Sequence, residues 1–521
     1  MKLPLNSRIG VIGGGINGLS YAYFLGKLRP DVKITVLENL SRVGGYINTS
    51  HANEKTKEIT KLDGRALKME KGPRTLRGVS SGTLIIMDLF KKFGMLDQVR
   101  GITKESPANK KYLLTKSQGQ IGEIKGNLVE VPSPGAGWSV IYKFLISPLG
   151  KVMMRGILND LFFKNDGKSL DGMSVEEFFS RHFGKPMIHD IGSALMYGIY
   201  AADVAHLDVN CVMPSLVRME KAHGSIVKAV LKSIFYYKPP PPDPYVKLYT
   251  EKIGNEFNLA ELKTKLRDYP MITFKDGLSQ LCEGLKNNMP SNVSVILGSS
   301  VDNISQREGK LAITAGKKKY EVDHIWSSVN TLQLAKMIDD RELIDVLQDF
   351  KYTSVCVCNV LIPKNAKDIK GFGFLVPKTH FHPEIKLMGV IFDSDIEEHS
   401  VPLWSDDKLS ETGEHTRATL MISVRDGVHP TSSMLKMTVR ETFSNILNGD
   451  ALDAAVEHAI VTESIPLYDL DFITRGEKVL KLIKDKYDGK LQLGGMVFSP
   501  GVGVPDSVAG ALQGAVQVSG V

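Results

Sequence analysis

The sequence predicts an α/β fold, α+β overall, whose nucleotide-binding domain is assembled from both ends of the chain. Residues 8–38 show a strand–turn–helix–strand pattern, the middle of the chain has a different character, and residues 494–520 return to a glycine-rich pattern. With 521 residues, the chain can hold about two or three domains with substantial cores. Its hydrophobic content of 42% is ordinary for a globular protein.

The first of these segments carries a dinucleotide-binding fingerprint. Gly13, Gly15 and Gly18 follow an apolar strand and open a helix. The first glycine permits a tight turn, the second lets the backbone approach a pyrophosphate, and the third lets helix and strand pack closely. Glu38 follows the second strand, where an acid binds a ribose hydroxyl and disfavours a 2′-phosphate. FAD or NAD is therefore expected rather than NADP, on a Rossmann-like unit.

Composition and charge disfavour several classes of function. The net charge of +7 indicates an anionic partner, either an acidic substrate or a membrane surface. The basic residues are scattered, which disfavours nucleic-acid binding. The chain contains no apolar run of about eighteen residues, the length that a bilayer-spanning helix needs. The first strand begins by Ile9, so we expect no cleavable presequence and an organelle address that is internal or within the first helix.

Neither a disulfide framework nor a metal site is expected. The chain has four cysteines, and Cys356 and Cys358 alternate in a β-like run that predicts packing on one face of a sheet. His380 and His382 lack a nearby third ligand, so they do not match metal-site spacing.

Residues 138–164 form the most apolar segment that still carries several basic side chains. Breaks at Pro148 and Gly150 predict two amphipathic helices. Such helices suit a membrane interface, and buried helices of a helical domain are the alternative. The sequence leaves both interpretations open.

The later part of the chain returns to α/β patterns. Residues 371–377 and 387–394 are predicted as neighbouring strands of an antiparallel sheet. Glycines at 501 and 503 lead into a helix of small residues, whose N-terminus could face the carbonyl edge of a flavin. A plain strand-to-helix turn is the alternative.

One further motif favours FAD, and a second suits anionic groups. Arg42 and the glycines at 44 and 45 follow Glu38, and in FAD proteins of the glutathione-reductase type such an R-x-G-G segment runs along the cofactor. In residues 72–77, glycine and proline set an unusual backbone path, and two arginines suit anionic groups. A turn with solvated arginines is the alternative for the second motif.

Taken together, these motifs resemble the protoporphyrinogen oxidase family, of the fungal mitochondrial type, among the amine oxidase and glutathione-reductase-like flavoproteins. The resemblance covers both ends and much of the middle of the chain. It rests on the segments VIGGGINGLSYAYFL, LRPDVKITVLE, EKGPRTLRG, the GIY at residue 198, GFGFLVP, GVIFDS and the terminal GVPD.

The resemblance implies a flavoprotein oxidoreductase of haem and porphyrin biosynthesis. It implies one noncovalent FAD per chain and oxidation of protoporphyrinogen IX by molecular oxygen, with hydrogen peroxide as by-product; no catalytic side chain beyond the flavin is assigned. The implied cofactor contacts are Gly13, Gly14, Gly15, Ile16, Asn17, Gly18, Glu38, Arg42, Gly45, Tyr46, Gly72, Pro73, Arg74, Thr75, Val301, Met496, Val502, Gly503 and Val504. The implied substrate contacts are Arg74, Lys111, Leu195, Gly198, Phe372, Gly373 and Leu375.

Within the implied substrate site, Phe372 and Leu375 pack on the macrocycle, with Leu195 and Gly198 on the other side. Animal and plant members of the family hold a propionate with an arginine. This sequence has Lys111 there, a point charge without the bidentate fork of arginine.

The expected domains are discontinuous. Residues 1–90, 270–332 and 465–521 form the FAD domain, and residues 91–240 form a mainly helical, membrane-associating domain in which 105–132 contribute to the substrate site. Residues 333–464 form a substrate-binding sheet domain, with 241–269 as connector. The resemblance also implies a peripheral protein of the mitochondrial inner membrane on the intermembrane-space side, with a homodimer and a ferrochelatase contact among its expected associations.

Two alternative functions share the fold. An amine oxidase favours an acidic or aromatic pocket and often a cysteine near its C-terminus for covalent flavin, but this chain has no cysteine after Cys358. A prenyl-protein escort factor needs no flavin, and the intact glycines argue against it.

Overall fold

The computed structural model describes residues 2–60, 67–116, 124, 126–133, 135–163, 167–235, 242–307, 309–405, 415–424 and 429–520. Within these ranges the chain forms sheets of five, three, seven, four and two strands, surrounded by helices. The strands in chain order are β1 (Arg8–Ile12), β2 (Lys33–Leu37), β3 (Thr49–His51), β4 (Lys68–Glu70), β5 (Leu76–Arg77), β6 (Val99–Ile102), β7 (Lys111–Lys116), β8 (Gly126–Val131), β9 (Met271–Phe274), β10 (Val293–Ile296), β11 (Asn303–Arg307), β12 (Lys310–Ala315), β13 (Lys318–Val322), β14 (His324–Ser327), β15 (Tyr352–Ile362), β16 (Gly373–Leu375), β17 (Lys386–Ile391), β18 (Val401–Pro402), β19 (Thr416–Val424), β20 (Ala455–Pro466) and β21 (Leu491–Leu493).

The helices occupy both ends of the chain and most of its middle. In chain order they are α1 (Ile16–Leu28), α2 (Glu54–Thr60), α3 (Ser81–Lys92), α4 (Trp138–Ile146), α5 (Pro148–Leu161), α6 (Val175–Phe183), α7 (Lys185–Met187), α8 (Ser193–Tyr200), α9 (Val209–Val212), α10 (Pro214–His223), α11 (Ile226–Phe235), α12 (Pro244–Lys252), α13 (Leu259–Leu266), α14 (Ser279–Asn287), α15 (Thr331–Ala335), α16 (Arg341–Gln348), α17 (Asp393–Glu398), α18 (Ser432–Asn445), α19 (Phe472–Tyr487) and α20 (Val504–Ser519).

The five-stranded sheet unites distant parts of the chain. Its order is β10-β2-β1-β14-β21, and every pair in it is parallel. Parallel strands are buried on both faces, which explains why β1 and β2 are almost continuously apolar. Helices α1, α3 and α20 pack together against this sheet. The α/β class and the Rossmann-like unit built from both chain ends are therefore confirmed.

The seven-stranded sheet is the second large sheet of the fold. Its order is β20-β15-β19-β17-β16-β7-β8, and it is mixed because β16 and β7 run parallel while the other pairs are antiparallel. Strands β16 and β17 are antiparallel neighbours, as predicted from residues 371–377 and 387–394. Cys356 and Cys358 are buried free thiols on the face of β15 that packs against α18, which confirms their predicted side-by-side packing.

The helical part contains the two amphipathic helices predicted from residues 138–164. Helix α4 ends at Ile146 and α5 begins at Pro148, with Ser147 capping α5 by accepting a hydrogen bond from the Gly150 N–H. Each helix is buried along a narrow stripe and exposed elsewhere. None of the described helices combines the length and apolar character needed to cross a bilayer.

A buried polar cluster holds the helical part together. Asp160 on α5 accepts hydrogen bonds from His182 Nδ1 at 2.5 Å, from Ser225 Oγ at 2.7 Å and from the Val227 N–H at 2.6 Å. These partners belong to α6 and to the start of α11, so one carboxylate joins three helical segments. Burial acts to raise the pKa of Asp160, but its hydrogen bonds outweigh burial and lower the pKa.

We expect Asp160→Asn to reduce the free energy of unfolding by about 2–4 kcal/mol, because the charged acceptor of three buried donors is lost. A carboxylate with a lowered folded-state pKa stabilises the fold above its unfolded pKa. That contribution disappears as the pH falls through the folded value. The difference between wild type and variant in urea titrations should therefore shrink below about pH 4. The exposed Asp171→Asn is the matched control, and an equal loss in both variants would contradict the role of Asp160.

Candidate cofactor and substrate site

The turn between β1 and α1 has the backbone geometry of a phosphate-binding loop. Gly13 lies at φ +99°, a conformation that side chains disfavour, and Gly15 is the N-cap of α1. A Cβ at Gly18 would lie 2.1 Å from the Gly13 carbonyl oxygen, so only glycine fits there. The unpaired N–H groups at the start of α1 can bind a pyrophosphate.

Glu38 is buried beside this turn. Its Oε2 accepts a hydrogen bond from the Gly14 N–H at 2.6 Å, and its Oε1 accepts one from the Leu40 N–H at 2.8 Å. The acid therefore shapes the turn itself, a role that the sequence did not reveal. Its predicted bond to a ribose hydroxyl uses the remaining acceptor capacity of the carboxylate.

A second glycine loop faces Gly15. Gly44 donates its N–H to the Gly14 carbonyl at 2.9 Å, and a Cβ at Gly15 would meet only Gly45 Cα at 3.9 Å and the Gly44 carbonyl oxygen at 4.0 Å. The two loops thus leave an open cradle beside the N-terminus of α1. Such a cradle fits the pyrophosphate of FAD. Arg42 instead donates to carbonyl groups of its own loop, at Val43, Gly45 and Ile47.

The C-terminal helix α20 is hydrogen-bonded directly to α1. Asn17 donates to the Ser507 carbonyl on α20 at 2.9 Å and accepts from Trp326 Nε1 at 3.0 Å. Gly503 is the N-cap of α20, and its N–H donates to Asp506 Oδ2 at 3.1 Å. The predicted contact residues at the two ends of the chain are therefore in one structural unit. These comprise Ile16 and Asn17 on α1 with Val502, Gly503 and Val504 at α20, while Met496 precedes α20 and accepts from Tyr468 through its carbonyl.

Tyr46 and the segment at 72–75 follow the second glycine loop and lie against each other. A Cβ at Gly72 would lie 2.0 Å from the Tyr46 carbonyl oxygen, so a glycine is required for this approach. The Tyr46 hydroxyl donates to the Glu463 carbonyl at 3.0 Å. Val301 is buried in the cluster against which Val502 packs.

Arg74 is buried and held by a partner that the sequence analysis did not single out. Its Nη1 donates to Asp393 Oδ1 at 2.6 Å, and Thr419 Oγ1 donates to Asp393 Oδ2 at 2.7 Å. Asp393 belongs to the GVIFDS segment. The sequence therefore identified this segment as a family motif but did not indicate that Asp393 pairs with Arg74. The solvated-arginine alternative for this residue is wrong, because Arg74 is 7% exposed.

The predicted substrate residues are brought together by strand pairing. Gly373 on β16 lies opposite Lys111 on β7, and the Phe372 N–H donates to the Lys110 carbonyl at 2.8 Å. Gly373 has φ +144°, and a Cβ there would lie 2.0 Å from the Val390 carbonyl oxygen. Lys111 donates to Asn109 Oδ1 at 3.2 Å. Its side chain is accessible, yet surrounding protein atoms remove part of its hydration and lower its pKa.

Helix α8 approaches the same strands from the helical part. A Cβ at Gly198 would lie 2.8 Å from Leu375 Cδ2, so the helix packs closely on β16. Leu195, nearly one turn earlier, is 45% exposed. Phe372 packs partly against an apolar cluster that includes Ile396.

Gly15→Val should abolish FAD binding while the apoprotein still folds, because the new side chain meets no protein atom closely and enters the cradle. A steric cost of about 3 kcal/mol corresponds to roughly a 100-fold weaker affinity. Flavin absorbance after gel filtration measures binding, and urea titration of the apoprotein measures stability. Gly18→Val is the contrasting variant and should lose stability as well, because its Cβ collides with the backbone. Retained flavin in Gly15→Val would contradict the assignment.

Comparison with known proteins agrees with this geometry. The NAD(P)-binding Rossmann-like domain family matches residues 11–93, which include the glycine turn and Glu38. The chain is 31% identical to the protoporphyrinogen oxidase of Saccharomyces cerevisiae, over 99% of this chain and 99% of that protein.

Solved structures share the fold at lower identity. A structure from Exiguobacterium sp. 255-15, provisionally assigned as a protoporphyrinogen oxidase, matches with a TM-score of 0.68 and 18% identity over 98% of both chains. The cyclohexylamine oxidase of Brevibacterium oxydans matches with a TM-score of 0.60 and 11% identity over 99% of both chains. Because the full-length identity to the yeast protein carries the family assignment, the chain belongs to the protoporphyrinogen oxidase family.

Proposed function

We propose that the chain is an FAD-dependent oxidase that converts protoporphyrinogen IX to protoporphyrin IX in haem synthesis. The chain belongs to the protoporphyrinogen oxidase family. The structural observation that supports the proposal is that Lys111, Gly373 and Leu375 lie on paired strands. Helix α8 packs on Leu375 from the other side. A basic group thus lies beside an apolar surface, an arrangement that suits a flat apolar substrate with carboxylates.

The residues of the chain divide the work of binding. Gly15 and the N-terminus of α1 bind the pyrophosphate, and Glu38 binds the ribose. When bound, FAD would supply a hydride acceptor that molecular oxygen can reoxidise. Phe372 and Leu375 position the macrocycle, while Lys111 attracts a propionate. The task of the protein is to hold the ring edge beside the flavin, so the rate enhancement rests mainly on orientation.

The charges of the site favour this function over amine oxidation. The cavity beside Arg74 is lined by five basic and three acidic side chains, which repels a cationic amine. The open cradle at Gly15 likewise favours a flavoprotein over an escort factor without flavin.

Anaerobic mixing of the flavin-loaded protein with protoporphyrinogen IX tests the function directly. Flavin absorbance should bleach while porphyrin fluorescence appears, and admission of oxygen should restore the flavin. Gly15→Val is the control without cofactor. Bleaching by a polyamine instead of the porphyrinogen would indicate an amine oxidase, and a purified protein without yellow colour would indicate the escort class.

Peripheral attachment to the mitochondrial inner membrane, on the intermembrane-space side, is part of the proposal. Helices α4, α5 and α11 are in contact and expose large apolar side chains beside lysines and an arginine. Such faces suit the interface of an anionic bilayer. The most exposed apolar residues on these helices and at the C-cap of α5 are Trp138, Tyr142, Ile146, Leu158, Phe162, Ile234 and Phe235.

The double variant Trp138→Glu with Phe162→Glu should release the protein from anionic vesicles. The two side chains are 86% and 76% exposed, so folding should be unaffected while about 1.5–3 kcal/mol of apolar burial per residue is lost. Cosedimentation should show at least a roughly tenfold weaker affinity. Leu480→Glu, on the exposed side of α19, is the matched control. Failure of the unmodified protein to cosediment would overturn the membrane proposal.

Several finer assignments rest on the resemblance to the family. These are oxygen as the terminal acceptor, the homodimer, the ferrochelatase contact and the residue-by-residue FAD and substrate contacts. The domain boundaries also rest on this resemblance. They assign 1–90, 270–332 and 465–521 to the FAD domain, 91–240 to the membrane-associating domain and 333–464 to the substrate domain.

A further inference from the structure

A cavity of about 370 Å³ with charged and apolar walls lies beside Arg74, between the seven-stranded and four-stranded sheets. Its walls come from β4, β6, β9, β15, β19, α17 and the segment at 74–75. The volume lies within the range of small-molecule sites. Arg74 and Thr75 are also predicted cofactor or substrate contacts, whereas no contact to either ligand is predicted for the other lining residues.

The lining carries an excess of positive charge. Its five basic residues exceed its three acids by two, and the acids already have partners within the protein. Asp393 binds Arg74 and Thr419, whereas Glu397 pairs with Lys68 at 3.0 Å and with Arg417. The basic residues of the lining are Lys68, Arg74, Arg100, Lys275 and Arg417.

The third acid, Glu70, also has hydrogen-bond partners within the protein. It accepts a hydrogen bond from the Leu278 N–H at 2.8 Å and another from Thr49 Oγ1 at 2.9 Å. Burial raises its pKa. Burial and the nearby Arg417 also lower the pKa of Lys68 to about 8, as expected where cations are crowded.

Two buried donors of the lining are unsatisfied. Arg74 Nη2 and Arg417 Nε have no hydrogen-bond partner among the described residues, although both side chains are more than nine-tenths buried. A buried charged donor without an acceptor is costly. An anion in the cavity would accept these hydrogen bonds and balance the excess charge.

We propose that this cavity is a carboxylate-binding subsite. Its walls combine the basic groups with Met69, Phe274, Val360 and Ile396. A carboxylate on a short aliphatic stem matches such mixed walls better than an inorganic anion does.

The position of the cavity indicates where that carboxylate comes from. Ile396 lines the cavity and also packs in the cluster that Phe372 contacts, so the cavity adjoins the predicted macrocycle surface. The substrate carries two carboxylates. Lys111 would receive one propionate and the arginine cavity the other, an assignment that rests on the proposed function. A small free carboxylate has the same chemistry and is the second source.

Arg417→Gln tests the subsite, with protoporphyrinogen IX compared against its dimethyl ester. If a propionate occupies the cavity, kcat/KM for the diacid should fall about tenfold or more, while the ester is affected less than about threefold. Lys111→Gln should give a similar diacid-restricted loss. The two losses should multiply in the double variant, because the residues serve different carboxylates.

Thermal unfolding, combined with the kinetics, distinguishes a substrate propionate from a small free carboxylate. Sodium propionate, at an ionic strength matched with sodium chloride, should raise the Tm of the wild-type holoenzyme and leave that of Arg417→Gln unchanged. A propionate effect combined with equal kinetic losses for diacid and ester assigns the site to a free carboxylate. Equal kinetic losses without any propionate effect overturn the subsite.

Folding of the variants needs its own control, because Arg417 pairs with Glu397 and donates to the Lys68 carbonyl. Arg417→Gln combined with Glu397→Gln avoids an unpaired acid, and Lys68→Gln changes a partly exposed residue. Both should show the same diacid-restricted loss with normal flavin content. If the wild type does not oxidise protoporphyrinogen, the proposed function fails, whereas the propionate effect still decides the carboxylate subsite.

Discussion

Main-chain contact between two glycine-rich loops is the constraint on which the rest of the site depends. Gly44 donates to the Gly14 carbonyl, and the chain then passes Tyr46, whose carbonyl oxygen excludes any side chain at Gly72. One series of close backbone approaches therefore runs from the dinucleotide turn to the segment that carries Arg74. A Cβ at either Gly18 or Gly72 would collide with a backbone carbonyl oxygen and force the neighbouring segments apart.

The position of Arg74 depends in turn on the second sheet system. Asp393 is the first residue of α17 and binds Arg74, while Thr419 on β19 holds the other oxygen of the same carboxylate. A guanidinium near the cofactor segment is thus oriented by the sheet that also carries the predicted substrate contacts. Because each oxygen of Asp393 is engaged, the arginine has little rotational freedom. The predicted FAD and substrate parts of the chain therefore meet through an ion pair as well as through packing.

Charge is distributed unevenly across the molecule. The net charge of +7 predicted an anionic partner without indicating its location. The structure gathers five basic side chains around one cavity and places other lysines beside the exposed apolar faces of α4, α5 and α11. The two anionic partners considered from the sequence, an acidic substrate and a membrane surface, are thus proposed for two separate regions. The helices of the second region are held together by Asp160, which satisfies three donors at once.

The sequence by itself determined the features that depend on local order. The glycine turn, the break between α4 and α5 at Ser147, and the adjacent strands β16 and β17 follow from spacing, turn chemistry and hydrophobic periodicity. Family motifs added the predicted substrate contacts around Lys111 and Gly373. Only the tertiary structure decided that Glu38 shapes the turn, that Arg42 serves its own loop, and which carboxylate binds Arg74. Arg74 and Asp393 are 319 residues apart in the chain, and no local pattern encodes a pairing over that distance.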